Sequence, residues 1–418
     1  MVEKAIEVEE VTEVNTKKGN DLFTTLKRII LASQHLIAMF GATVLVPILT
    51  GMNSSVALVC AGIGTLIFHL CTKGKVPVFL GSSFAFIPVI ITVGQVYKDL
   101  AYAQGGIVVA GLMYVLMSFI VSAIGVQKVK DFFPSQVIGP MIIVIGLNLI
   151  PVAFSMASSN FILAVITLAT ALSITFFGKG FFKQLAIIIA VFVGYALSWQ
   201  MGVLDNSTIV NAGWFAIPAF TMPKFDIGAI SIIAPVVLAV FMEHIGDITT
   251  NGTVVGKNFM EDPGLNRTLL GDGLATIVAG FLGGPANTTY GENTGVLAIT
   301  KNYDPSILRI TAVIAILLGT IGKVGGFLQS IPQAVMGGIS LMLFSMIALI
   351  GVRTIKDSKI KMDAKNIIVM SVILIIGLGG SLGLNIAIPI TEQVSLAGLS
   401  LAALVGVIFN KIVYTVFK

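Results

Sequence analysis

The sequence predicts an all-α polytopic membrane protein in which fourteen membrane-spanning segments form two inverted repeats of seven. Three observations support this fold class: the composition, the spacing of the apolar segments, and the distribution of positive charge between them. Of the 418 residues, 56% are apolar and 11% are charged, and the mean hydropathy is +1.00. A soluble protein carries roughly 25% charged residues. The composition therefore indicates a chain that lies mostly in a lipid bilayer.

Twelve apolar segments are long enough to cross the bilayer, which takes about 20 residues of helix. Two further segments, Pro77–Val93 and Pro285–Thr300, are interrupted by glycines and polar residues. Counting both gives fourteen crossings. The uninterrupted segments cover approximately residues 27–49, 55–71, 105–126, 134–152, 159–178, 182–201, 229–250, 268–283, 306–322, 333–352, 366–384 and 395–416.

Positive charge in the loops supports this count. If the tail 1–22 lies inside, 22 of the 25 Lys and Arg residues fall on the inner side, and only Lys98, Lys224 and Lys323 fall outside. Cytoplasmic loops carry this excess of Lys and Arg in membrane proteins. Leaving out either interrupted segment would invert every later loop and remove the asymmetry. We therefore expect both termini in the cytoplasm.

The two halves of the chain show matching spacings. Ser83, in the first interrupted segment, follows Gln34 by 49 residues, and Glu292, in the second, follows Glu243 by the same 49. Seven crossings per half give the halves opposite orientations in the membrane. This inverted-repeat plan is typical of secondary transporters, which place the substrate near the bilayer midplane between discontinuous segments.

The second interrupted segment, Pro285–Thr300, has the polar character of a binding site. It carries Glu292 between Gly291 and Gly295, in a position where an ordinary span would be apolar. Polar, non-helical backbone persists at membrane depth only where protein or water surrounds it. We expect extended residues to about Tyr290 and then a short helix that opens near Glu292. Its first amide groups and the positive end of its dipole would face the ligand.

Four acids lie within or at the ends of predicted spans: Glu243, Asp247, Asp272 and Glu292. Glu243 and Asp247 are four residues apart and share one face of a helix. In the functional interpretation these acids line a polar cavity, in which Glu243 accepts hydrogen bonds from substrate N–H groups and one of the acids carries a proton during transport. The alternative is pairing with Lys or Arg, but no basic residue lies in the middle of a span. Asp272 has a second alternative, because it lies at the start of its predicted span, where an acid stabilises a helix N-terminus.

Other polar and aromatic residues accompany these acids. His35 and His244 each follow a polar residue, and we interpret both as structural histidines held by hydrogen bonds. Ser82 and Ser83 offer backbone amides in the first interrupted segment. The ring of Phe84 either stacks on a flat ligand or packs against neighbouring helices.

The sequence contains no P-loop, HExxH or GxSxG motif, and it has only three histidines. We therefore expect no enzyme activity, no metal site and no cofactor, with a proton gradient as the energy source. The formal net charge of +5 comes from the tail and the loops between spans. It does not indicate nucleic-acid binding.

Four motifs resemble those of the nucleobase–ascorbate transporter family: Gln34-His35, Gly81–Phe86, Glu243–Asp247 and Glu292–Lys301. The resemblance covers nearly the whole chain after the tail. It implies short antiparallel strands in spans 3 and 10, an elevator-like movement of a core domain against a gate domain, and a homodimer. The implied divisions are 23–128 (spans 1–4) and 228–325 (spans 8–11) for the core, and 129–203 (spans 5–7) and 326–418 (spans 12–14) for the gate.

The resemblance also implies roles for particular residues. Glu243 and Glu292 would bind the N–H and carbonyl edge of a nucleobase, and Phe84, Gly291 and Ala42 would add ring or backbone contacts. Asp247 would lie at the same site. Asp247 or Glu292 would carry the proton, with Glu243 mainly a substrate ligand. Supporting positions are Gln34, His35, His244, Asn293, Ser83 and Tyr290.

Within the family, the chain is most similar to the bacterial uracil–proton symporters of the inner membrane. Uracil members have glutamate at the position of Glu292, where xanthine and urate members usually have glutamine. Asp247 and Asp272 instead resemble the purine branch, since the best-known uracil carrier has histidine at the position of Asp247. A xanthine or broad-range nucleobase symporter therefore stays open as an alternative. A further alternative is an anion transporter with the same fold, although three acids at the site would repel an anion.

Overall fold

The computed structural model of the protein describes residues 2–384, 386–390 and 395–416. Side chains are described from residue 25 onwards, apart from those at 130, 131 and 184. The backbone of the predicted tail, from residue 2, is the first part of a long helix, and its side chains lie outside the described part.

The described chain is mostly helical, with four short strands. The strands are β1 Leu80–Ser82, β2 Asn287–Thr289, β3 Ala387–Pro389 and β4 Ser395–Ala397. The helices are α1 Val2–Thr50, α2 Ser54–Cys71, α3 Ile87–Tyr97, α4 Ala101–Ile124, α5 Val126–Phe132, α6 Ser135–Ala157, α7 Phe161–Phe177, α8 Phe181–Gln184, α9 Ala186–Gln200, α10 Ser207–Asn211, α11 Ile227–Ile233, α12 Val237–Val255, α13 Leu265–Leu282, α14 Gly291–Thr300, α15 Pro305–Gly319, α16 Gly322–Ser330, α17 Gln333–Asp357, α18 Ala364–Leu378 and α19 Gly398–Val416.

Many of these helices are suited to a bilayer. Seven helical stretches of the described chain are long and apolar enough to cross it, and five shorter apolar helices accompany them. The seven are Thr25–Thr50, Ser54–Cys71, Ala101–Ile124, Ser135–Ala157, Ile227–Val255, Gln333–Asp357 and Gly398–Val416. The shorter ones are Phe84–Tyr97, Phe161–Phe177, Ala186–Gln200, Pro305–Gly319 and Ala364–Leu378.

One group of helices surrounds the strand pair β1–β2. In it α13 packs against α2 and α4, and α2 packs against α15. The helices approach closely because small residues lie at their crossings: a Cβ added to Gly273 would lie 2.9 Å from the carbonyl oxygen of Gly111. Small residues of this kind allow apolar helices to gain van der Waals contact where lipid offers no hydrophobic driving force.

A second group is built on the contact between α6 and α17. A Cβ added to Gly351 would lie 2.6 Å from the carbonyl oxygen of Gly139, and one added to Gly146 would lie 2.5 Å from the amide nitrogen of Ala348. The order of these contacts makes α6 and α17 antiparallel. Helices α7 and α9 pack beside α17, and α18 and α19 pack beside α6. This group also contains the antiparallel pair β3–β4, which the sequence did not predict.

Candidate functional site

The two interrupted segments meet at one antiparallel pair of strands. Leu80 lies opposite Thr289, Gly81 opposite Thr288 and Ser82 opposite Asn287. After β1 the chain turns through a short 3-10 helix into α3, and after β2 it enters α14. The prediction of extended residues to about Tyr290 followed by a short helix near Glu292 is confirmed, since α14 begins at Gly291.

Tyr290 fastens one strand to the other. Its hydroxyl donates to the carbonyl oxygen of Ser82 at 2.8 Å, and its backbone amide donates to the carbonyl oxygen of Phe79 at 3.1 Å. The side chain of Ser82 donates in turn to the carbonyl oxygen of Thr43 in α1 at 3.0 Å. Gly81 leaves room for the ring, because a Cβ there would lie 2.5 Å from two ring carbons of Tyr290.

Threonine side chains of α2 and α13 satisfy backbone groups of the strands. The Thr65 hydroxyl of α2 accepts from the Leu80 amide at 2.9 Å, and the Thr276 hydroxyl of α13 donates to the carbonyl oxygen of Asn287 at 3.1 Å. Backbone groups without partners would be costly at membrane depth. These bonds therefore allow non-helical backbone to exist in the middle of the bundle.

Two asparagines connect α14 to other helices. The side-chain amide of Asn251 in α12 donates to the carbonyl oxygen of Pro77 at 3.0 Å and to the Thr294 hydroxyl at 3.1 Å. Asn293 donates to the carbonyl oxygen of His35 in α1 at 3.0 Å, and its side-chain amide lies 3.2 Å from the His35 ring. Both asparagines and His35 are buried. The start of α14 is thus held from two sides.

Glu243 and Asp247 line the same cavity, as their spacing predicts. This Asp247 cavity has a volume of about 310 Å³ and also contains Phe84. The Thr289 hydroxyl donates to the Asp247 carboxylate at 2.8 Å. The opposite wall consists mainly of apolar side chains of α6 and α17: Ile138, Ile142, Ile145, Ile347 and Ile350.

Glu292 is the second residue of α14 and faces a different space. This Glu292 cavity has a volume of about 420 Å³ and lies between α14 and side chains of α1, α7, α8, α9 and α17. Glu292 and Glu243 are near enough to interact electrostatically, and Glu243 interacts likewise with Asp247. Within the described residues, none of these three acids has a salt bridge to Lys or Arg.

Comparison with known proteins identifies the family. A family model described as "Permease family" matches residues 26–386. The chain belongs to this permease family. The chain is 42% identical to a protein named "Probable uracil permease" from Pasteurella multocida, over 92% of this chain and 93% of the relative. It is also 42% identical to the "Uracil permease" of Escherichia coli K12, over 91% of this chain and 90% of that protein.

These relatives confirm the resemblance that the motifs indicated. The chain is a multi-pass membrane protein of a family whose members are named permeases, and is therefore a transporter rather than an enzyme. Solved structures with a similar fold include the murine Solute Carrier 26 family member A9 anion transporter in the inward-facing state. That structure is 10% identical, with a TM-score of 0.69, over 94% of this chain and 68% of the other.

A second similar structure is the transmembrane domain of the cyanobacterial bicarbonate transporter BicA. It is 15% identical, with a TM-score of 0.63, over 92% of this chain and 97% of that domain. At such low identities the likeness concerns the fold alone.

Asp272 does not lie where the sequence analysis placed it. We expected it at the start of its span, but α13 begins at Leu265, so Asp272 lies two turns inside the helix. Its carboxylate lies 2.8 Å from Nδ1 of His244, and Nε2 of His244 lies 2.9 Å from the Thr268 hydroxyl. Both His244 and Asp272 are fully buried. The helix-terminus interpretation of Asp272 is therefore wrong.

The remaining predicted residues occupy different environments. Phe84 is half-buried and meets the Phe344 ring of α17 edge-on, with centroids 6.3 Å apart. Ala42 is fully buried in α1 and is not among the side chains described around either cavity. Ser83 is buried and its hydroxyl has no partner among the described residues, and the same holds for Oε1 of Gln34.

Two threonines of the Asp247 cavity were missed by the sequence analysis. Thr250 lies on α12, and Thr354 lies near the end of α17. Thr250 follows Asp247 by three residues and Glu243 by seven, so helical spacing alone places all three on one face. Nothing local to Thr354 indicates its place in the cavity.

Proposed function

We propose that this protein carries uracil into the cell together with a proton. The observation that carries the proposal is the Asp247 cavity, in which two acids and an aromatic ring lie beside the paired strands. The relatives named uracil permeases support uracil as the substrate, because they match over more than nine-tenths of this chain.

The chemistry of the site suits a nucleobase edge, which alternates N–H donors with carbonyl acceptors. Glu243 and Glu292 accept from the N–H groups. Amides at the start of α14 donate to carbonyl oxygens, since the first N–H groups of a helix have no partner within the helix. Gly291 lets the substrate approach that backbone, and the Phe84 ring stacks on the flat base. The region of Ala42 adds packing on the α1 side.

Asp247 is our first choice for the proton site and Glu292 the second. A charged acid is costly at membrane depth, by at least ~2.5 kcal/mol on insertion scales. A carboxylate that binds a proton and substrate together reduces the charge that moves through the membrane. The bond from Thr289 ties Asp247 to β2, and so gives its protonation a direct connection to the strand pair.

We further propose fourteen spans in two inverted repeats of seven. The packing pairs support this symmetry: α2 packs on α15 as α13 packs on α4, and α7 packs on α9 as α18 packs on α19. The core comprises 23–128 and 228–325, and the gate comprises 129–203 and 326–418. Both cavities lie between residues of these two domains, where an elevator movement of the core would open and close them.

The orientation follows from the loop charges. Both termini would lie in the cytoplasm of a bacterium, with the protein in the inner membrane and paired as a homodimer through its gate domains. Thr250, Thr354 and Ile299 lie towards the helix ends that carry Lys257, Lys356 and Lys301. Both cavities would therefore face the cytoplasm.

The test is uptake of radiolabelled uracil into proteoliposomes, with and without an inward proton gradient, in competition with unlabelled xanthine. We expect gradient-dependent uptake that xanthine does not inhibit. Inhibition by xanthine would favour a xanthine or broad-range symporter. Asp247 supports this alternative, because it resembles the purine branch of the family. Absence of uptake of both radiolabelled uracil and radiolabelled xanthine by folded protein would contradict uptake of these nucleobases and favour an anion substrate.

A substitution tests the role of Glu292 in the same assay. Glu292→Gln replaces a carboxylate acceptor by an amide, and hydrogen bonds to charged groups are worth about 1.5–3 kcal/mol. We expect uracil uptake to fall at least about tenfold, the factor given by ~1.4 kcal/mol, and xanthine to be admitted. Unchanged uracil uptake would remove Glu292 from the site.

A further inference from the structure

The Glu292 cavity contains a lysine that has no role in the proposed binding of substrate and proton. Lys183 lies in α8, the short helix between α7 and α9, and lines the cavity together with Glu292. Helix α8 packs against α14. Of the described residues around the two cavities, Lys183 is the one basic side chain, and Glu292 is the one acid in its cavity.

The start of α14 separates the two cavities. A Cβ added to Gly291 would lie 3.7 Å from a carboxylate oxygen of Asp247, so Gly291 borders the Asp247 cavity. The next residue, Glu292, lines the cavity of Lys183. Phe84 and Glu243 lie on the Asp247 side. Lys183 therefore lies on the side of Glu292 away from the stacking ring.

Glu292 and Lys183 belong to two proposed domains that would move relative to each other. Glu292 lies on α14 in the proposed core, and Lys183 lies on α8 in the proposed gate. Lys183 is exposed and unpaired with any acid among the described residues. Its flexible four-carbon stem ends in three N–H donors. A movement of core against gate would change its distance from Glu292.

We propose that Lys183 competes with the bound nucleobase for the Glu292 carboxylate, and thereby promotes release of substrate on the side of this cavity. This inference rests on the proposed function. A lysine ammonium is a stronger donor to a carboxylate than a neutral N–H group, since charge-assisted hydrogen bonds are about twice as strong. Lys183 thus holds Glu292 once the base leaves, and disfavours rebinding.

The competition predicts an unusual direction of effect, because loss of a cavity-lining lysine should tighten binding. In equilibrium binding of radiolabelled uracil to the purified protein, we expect Lys183→Gln to bind about fivefold more tightly, the factor that ~1 kcal/mol gives. Lys183→Arg keeps the charge and should bind like the wild type. The matched control is Lys179→Gln, four residues earlier, exposed and outside the described lining of the cavity.

Salt provides a second readout in the same experiment. Raising the KCl concentration screens the attraction between Lys183 and Glu292. Uracil binding to the wild type should therefore tighten with salt, while binding to Lys183→Gln should not change. Weaker binding by Lys183→Gln would overturn the proposal and make Lys183 a substrate contact.

A measurement without substrate separates this inference from the choice of uracil. Melting temperatures of the wild type, Lys183→Gln, Glu292→Gln and the double variant form a double-mutant cycle. We expect the double variant to lose less stability than the sum of the two single changes. Additive effects would refute an attraction between the two residues, even if uracil transport were established. A coupled pair without uracil binding would contradict the proposed substrate and leave the contact standing.

Discussion

Gly81→Ala is the substitution that tests most directly how the strand pair is built. The added Cβ would lie 2.5 Å from two carbons of the Tyr290 ring and 2.7 Å from the Thr43 hydroxyl. Carbon atoms in contact normally lie about 3.5–4.0 Å apart, so the ring must retreat by about 1 Å. Tyr290 is buried, its hydroxyl donates to Ser82 and its backbone amide holds the residue to Phe79, so the ring cannot retreat without losing its bond to Ser82.

The two costs give the size of the effect. Overpacking a close contact costs about 1–3 kcal/mol, and loss of one buried hydrogen bond costs about 1 kcal/mol. We therefore expect Gly81→Ala to lower the free energy of unfolding by about 2–4 kcal/mol. Uracil binding should weaken at least about tenfold, because the displaced Tyr290 directly precedes α14.

Denaturant titration of the purified protein and equilibrium uracil binding measure the two effects. Tyr290→Phe removes only the hydroxyl and isolates the hydrogen-bond contribution, about 1 kcal/mol. Gly380→Ala is the matched control, because nothing lies within 4 Å of its added Cβ. A Gly81→Ala protein with wild-type stability and binding would show that the strand pair tolerates the methyl group, and would refute the reasoning.

Three further substitutions separate buried contacts from exposed ones by their effect on the free energy of unfolding. Asp272→Ala leaves the fully buried His244 ring without its acceptor and should cost about 2–3 kcal/mol; a wild-type denaturation midpoint would contradict a stabilising role for the pair. Thr289→Val removes the donor to Asp247 and should lower the free energy of unfolding by about 1 kcal/mol. The control Thr253→Val changes an exposed threonine and should not change the free energy of unfolding measurably. Equal effects of the two substitutions would argue against the bond from Thr289 to Asp247. Lys75→Ala removes an exposed salt bridge of 2.5 Å to Asp262 and should cost less than ~1 kcal/mol, so a larger loss would show that this loop contact holds the fold.

Local sequence signals predicted the features that depend on local chemistry. Glu292 lies in the first turn of α14 because glycines and Pro285 interrupt the apolar pattern just before it. Glu243 and Asp247 share a cavity because helical periodicity fixes which residues face the same way. Both predictions needed only residues within one segment.

Asp272 shows where such reasoning fails. Hydropathy placed the start of its span near residue 268, since Asn266 and Arg267 are polar, but α13 begins at Leu265 with both residues in its first turn. The first turn of a span can lie in the polar interface, and so need not be apolar. The partner of Asp272, His244, is on another helix and has no local signature.

Contacts between segments that are distant in the sequence were likewise not predicted. The sequence analysis counted Lys183 among the basic residues of the inner side, at the start of the segment 182–201, and nothing near it in the sequence connects it to α14. The pair β3–β4 was missed because three-residue strands give too short a pattern to separate from an apolar span. These features follow from how helices pack, which a single sequence does not display.

The pairing of β1 with β2 also has a consequence for how the protein is made. Leu80 leaves the ribosome 209 residues before its partner Thr289. Until that partner arrives, the backbone of Leu80–Ser82 has no strand to bond with, and unpaired amides are costly in hydrocarbon. The first half of the chain therefore lacks the strand partner of Leu80–Ser82 until the second half is synthesised. Its interrupted segment must therefore be surrounded by water or protein at first, and we expect it to take its position in the bilayer only when the second half is inserted beside it.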